Sequence, residues 1–72
     1  LADFYREVAA VWELPLGERV HVALRSHQMA DLHGRLELHR APDLPLDRRA
    51  ELALRIGQVE FTSRQIIGWS IA

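Results

Sequence analysis

The sequence predicts a mainly β fold with one N-terminal α-helix, a small and strongly bent barrel of five strands. The first observation is a period of two in two stretches: Val20, Val22, Leu24 with Leu36, Leu38, then Leu52, Leu54, Ile56 with Val59, Phe61. Successive side chains of a strand leave opposite faces of the sheet, so each stretch reads as a pair of half-buried strands. The second is a helical period confined to the N-terminal segment. The third is the apolar tail Ile66-Ile67-Gly68-Trp69-Ser70-Ile71, which supplies the fifth strand.

From Leu1 to about Glu13, the residues Leu1, Phe4, Tyr5, Val8, Val11 and Trp12 recur at the spacing of one helix face. A helix this short is unstable alone and must dock that face on something. Pro15 ends it, because the residue before a proline is driven out of the helical region and the ring cannot continue the hydrogen-bond ladder. The stripe is read as a cover over one open end of the barrel. The sharper reading makes Phe4, Tyr5 and Trp12 contacts for another chain.

His21, His27, His33 and His39 fall at intervals of six. A turn centred on Ala30 sets His21 opposite His39 and His27 opposite His33, with all four on the outward, odd-numbered face. Residues six apart along a strand are separated by ~20 Å, so at most two of them meet at one ion, short of the three or four protein ligands zinc takes. The histidines are therefore read as surface residues, with no metal and no cofactor. Gly34 is read as a bend or bulge that lets a small barrel curl.

Pro42 and Pro45 exclude a central strand from the segment 41–47, which becomes an irregular connection with one turn near Asp47-Arg48-Arg49-Ala50, capped by Asp47. Gly57-Gln58 is a two-residue hairpin turn with glycine at its first central position, as type II′ requires. Thr62-Ser63-Arg64-Gln65 is a tight turn into the last strand. That strand leaves an apolar edge, which invites pairing with another copy.

The 72 residues make one domain, with the helix over about 1–13 and the barrel over about 18–72. A chain this short buries only about 60% of its unfolded surface. With no cysteine it has neither a disulfide nor a thiolate site, so stability must come from packing, from association, or from both. The formal net charge is −1, which lacks the basic footprint of most nucleic-acid binders. No apolar run approaches the ~20 residues of a membrane span. The expectation is a soluble, cytoplasmic protein that forms homo-oligomers through its barrel edges.

The helix, the glycine turn, Gly17-Glu18-Arg19-Val20-His21-Val22-Ala23-Leu24, then Gly34-Arg35-Leu36 and finally Val59 through Trp69 together resemble the Sm-like family. In Phe61-Thr62-Ser63-Arg64-Gln65-Ile66-Ile67-Gly68-Trp69 the apolar spacing of the family's second motif is reproduced, while Thr62-Ser63 replaces its basic-glycine pair. Arg40 and Leu44 stand near where the family has an aspartate and an asparagine. The resemblance implies a small barrel of Sm-like or SH3-like type and pairing of the fourth strand of one subunit with the fifth of the next. It carries over no binding residues.

No phosphate loop, metalloprotease helix or nucleophile elbow is present, so the chain is read as a non-enzyme. Two binding roles remain. As an oligomerisation or protein-interaction module it would use Phe4, Tyr5, Trp12, Trp69 and Ile71 against another copy or an unknown protein partner. As a single-stranded RNA binder it would use Arg25, Arg35, Arg40 and Arg64, with Arg48 and Arg49 beside them. The near-neutral charge favours the first.

Overall fold

The computed structural model describes residues 2–25 and 31–72. Leu1, His27 and Ala30, which enter the sequence reading above, lie outside the described residues. The chain runs α1 (Ala2–Trp12), β1 (Arg19–Leu24), β2 (Asp31–Leu38), β3 (Ala53–Ile56), β4 (Val59–Thr62), a 3₁₀ turn (Ser63–Gln65) and β5 (Ile66–Ile71). The five strands make one antiparallel sheet in the order β4-β3-β2-β1-β5. The fold is thus mainly β with a single N-terminal helix. Strand pairing does not close the sheet, since β4 and β5 are its two ends.

The parity read from the sequence is the parity of burial. Val20, Val22, Leu24, Leu36, Leu52, Leu54 and Ile56 are buried, and Phe61 continues that face across the β3–β4 hairpin. Gly57 has φ +60, the positive value that the first central position of a II′ turn needs. The helix places Val8 and Trp12 in the same core, with Phe4 and Val11 packed against it.

The helix ends before Pro15 is reached. Glu13 takes φ +54, and the Leu14 N–H donates to the Ala9 carbonyl at 3.0 Å, the six-to-one bond of a Schellman ending. The Trp12 indole N–H then donates to the Ala50 carbonyl at 3.0 Å. This ties the end of α1 to the turn after the proline loop. That turn is held by Asp47, whose Oδ1 accepts from the Arg49 backbone N–H at 2.9 Å.

The first hairpin corrects the expected register. His21 lies opposite His33, not His39, and Ala23 lies opposite Asp31. The two strands pair six residues closer along the chain than a turn centred on Ala30 would set them, and β2 then changes partner: Asp31 to Arg35 pair with β1, and Leu36 to Leu38 pair with β3. His39 therefore belongs to the β3 side, where its backbone N–H donates to the Ala53 carbonyl and its ring lies 3.3 Å from the Glu60 carboxylate. The shift is an even number of residues, so it leaves the buried face unchanged.

Gly34 stands just before that change of partner, with φ +146, and an added Cβ would lie 2.8 Å from Ile56 Cγ2. This close approach and the positive φ are what require glycine here, and the β1–β2 register runs through Gly34 without a bulge. In β5 the register slips by one residue: Leu24 pairs with Ile66, but Ala23 pairs with Gly68. Ile67 is the extra residue of a β-bulge. After it Trp69 and Ile71 lie opposite Val22 and Val20, on the core side of the sheet.

Candidate functional site

The β5 end of the sheet combines exposed apolar side chains with an unpaired strand edge. Trp69 and Ile71 extend the core face beyond the point where it is covered and are 42% and 59% exposed, while Ile67 on the bulge is 64% exposed. Among the described residues the backbone of β5 pairs only with β1. Its far edge therefore presents N–H and C=O groups to solvent.

A groove of about 520 Å³ lies alongside this strand. Four consecutive residues, Ile66 to Trp69, line it, as is expected of a cleft running along a strand edge rather than over one face. Its opposite wall is the end of α1 with the 48–50 turn, and Arg48, Arg49 and Arg64 all reach it. The Arg48 guanidinium pairs with the Glu13 carboxylate. Arg49 forks onto both Asp47 oxygens at 3.2 Å. Arg49, through its side chain first and its backbone N–H second, holds the Asp47 carboxyl below its ordinary value, and the Asp47 carboxylate raises Arg49 in turn. Arg64 donates to the Arg49 carbonyl at 2.9 Å.

Local chemistry fixes the 3₁₀ turn that positions Arg64. The Gln65 side chain accepts from the Thr62 N–H at 2.9 Å, and Ser63 exchanges two bonds with the Leu52 backbone, its N–H to the carbonyl and its Oγ from the N–H, both at 2.9 Å.

The residues singled out by sequence separate into distinct places. Phe4, Tyr5 and Trp12 turn toward the sheet: Trp12 is buried, Phe4 packs on the core, and the Tyr5 hydroxyl accepts a long 3.4 Å bond from the Leu38 N–H. Trp69 and Ile71 face solvent. The arginines do not converge as a set. Arg25 follows β1, its N–H on the Gln65 carbonyl; Arg35 lies on the outward face of β2 and donates to the Gly17 carbonyl; Arg40 borders the proline loop. Only Arg64 joins Arg48 and Arg49. Two contributors were not singled out by sequence: Ile67, hidden because a bulge breaks the alternation that would have placed it, and Glu51, whose carboxylate accepts from the Thr62 hydroxyl at 3.2 Å.

His21 and His33 face each other with ring centroids 5.5 Å apart. Among the described residues no group of three or more histidine, cysteine or acidic side chains is arranged to hold a metal. Among them, too, no helix is long and apolar enough to cross a membrane. Comparison with protein-family models, with curated proteins and with solved structures finds no match to this chain.

Proposed function

We propose that this chain is a non-enzymatic, Sm-like small-barrel module that joins copies of itself, or a protein partner, through the free edges of its sheet. The carrying observation is β5, an edge strand with Ile67, Trp69 and Ile71 exposed beside its unpaired backbone. Soluble chains rarely leave a long apolar edge uncovered, because it pairs with whatever strand it meets. The single helix, the five antiparallel strands and the two free sheet ends are the features that support an Sm-like arrangement. Sedimentation velocity tests the reading. The wild type should sediment as a defined oligomer and Ile71→Lys, at a site 59% exposed, as a folded monomer. A wild type that stays monomeric at high concentration sinks it.

A second reading is single-stranded RNA binding. It is supported by one observation, the meeting of Arg48, Arg49 and Arg64 with Trp69 along one groove, since guanidinium groups grip phosphates and an exposed indole stacks a base. Tight retention of a labelled oligoribonucleotide, with steep salt dependence and loss in Arg64→Glu, would favour it over the first.

A further inference from the structure

We infer that His21 and His33 form a two-histidine chelate for a late divalent transition-metal ion, copper(II) or nickel(II), on the outward face of the β1–β2 ladder. The site is independent of edge pairing, because β1 and β2 are interior strands of the sheet. His21 and His33 are direct cross-strand partners, and both are exposed on the face opposite the buried Val20, Val22 and Leu32. Their ring centroids lie 5.5 Å apart with an interplanar angle of 39°. Two imidazoles bound at ~2.0–2.1 Å to one ion hold their centroids roughly 4.5–5.2 Å apart, for ligand angles between about 90° and 109°. The rings need to close by at most about 1 Å, which a small change in χ supplies. Neither ring is paired with a carboxylate among the described residues, whereas the His39 ring is engaged by Glu60 at 3.3 Å.

The donor set chooses the ion. Two nitrogens leave the remaining positions to water, which suits the tetragonal N,O geometry of copper(II) and nickel(II), and copper(II) binds most strongly of the first-row divalent ions. A structural zinc site takes four protein ligands, and calcium and magnesium take oxygens. Charge does not draw the ion in. Asp31 lies one pair along the same face, opposite Ala23, but Arg19 and Arg35 lie one pair the other way, opposite each other, and Ser70 of β5 flanks His21 on its other side. Imidazole nitrogen rather than a carboxylate cage holds the metal, so hard cations are excluded. The frame is already built, since each histidine stands on a strand paired on both sides, and ligands on such elements are held more exactly than ligands on loops.

The probe is copper(II) chloride added to the full chain, read by titration calorimetry and electron paramagnetic resonance, with circular dichroism confirming that each variant is folded. The resonance spectrum should carry the hyperfine pattern of two nitrogen ligands. His21→Ala and His33→Ala should each weaken binding by about a hundredfold, since two ligands on one frame exceed either alone by ~10²–10⁴. His39→Ala should leave it unchanged. The unfolded chain does not hold β1 beside β2, so nickel(II) should raise the melting temperature of the wild type by several degrees and that of neither single variant, while magnesium raises none. A wild type that binds no copper(II), equal copper(II) affinity in wild type and single variants, or a nickel(II) shift as large in His33→Ala as in wild type overturns the chelate. Each of these outcomes leaves edge assembly standing.

Discussion

Gly34 and Ile56 approach each other so closely that a β-carbon on the glycine would sit 2.8 Å from Ile56 Cγ2. The contact lies where β2 passes from β1 to β3, so the glycine lets two halves of the sheet meet across one strand. Gly34→Ala combines that overlap with a φ of +146 that side chains disfavour, and should cost about 2 kcal/mol. Ile56→Ala alone should cost about 2–5 kcal/mol as a cavity. Because the same methyl group is involved, the double variant should be less destabilised than the sum by more than about 0.5 kcal/mol in urea titrations. Simple additivity would mean that the contact is not what excludes alanine.

The two faces of the sheet should answer oppositely to the same substitution. Leu54 is 0% exposed, and Leu54→Asp places a carboxylate where no described side chain can pair it, which should abolish cooperative unfolding. His21→Asp, outward on β1, should cost about 1 kcal/mol or less. Comparable losses in thermal melts would contradict the assigned faces.

Glu13 holds a left-handed conformation at the helix end. A non-glycine residue there carries roughly 1–2 kcal/mol of steric cost, whereas its exposed ion pair with Arg48 contributes about 0–1 kcal/mol. The first effect is larger, so Glu13→Gly should stabilise the fold by about 0.5 kcal/mol. A lower melting temperature would show that the Arg48 contact outweighs the backbone.

Asp47 supplies the acid-sensitive element. Its folded carboxyl lies below the ordinary value because Arg49 binds the ionised form. The stability this brings is present above the unfolded pKa of about 3.9 and disappears as pH falls through the lower, folded value. Asp47→Ala should therefore lower the melting temperature at neutral pH, with the gap from wild type narrowing below about pH 4. Asp47→Asn keeps an oxygen for the Arg49 N–H and should fall between the two. A gap independent of pH would remove the charge from the explanation.

The parts of the fold that depend on side-chain period were legible in the sequence, and those that depend on strand pairing were not. Val20 through Ile56 announce their face because burial rewards every second residue. The partner of His21 is set instead by the register in which β1 and β2 pair, and alternation is identical for any even shift of register. Trp69 and Ile71 were legible as edge residues from their place in a short terminal strand. Ile67 was not, because two adjacent isoleucines fit either parity until the bulge chooses. The Arg48–Arg49–Arg64 grouping needed the Trp12 to Ala50 bond and the Ser63 to Leu52 bonds, contacts 38 and 11 residues apart in the chain, to bring its segments together.

The bulge at Ile67 also makes one residue of the last strand dispensable to its pairing. With Ile67 removed, a regular ladder continued from Leu24 and Ile66 would still set Gly68 opposite Ala23, Trp69 opposite Val22 and Ser70 opposite His21. A chain shortened by that single isoleucine would lose an exposed apolar side chain and the extra local twist of a bulge, and keep every other partner on β1. Deletion at this one place trims the surface of the sheet's end without unravelling its ladder.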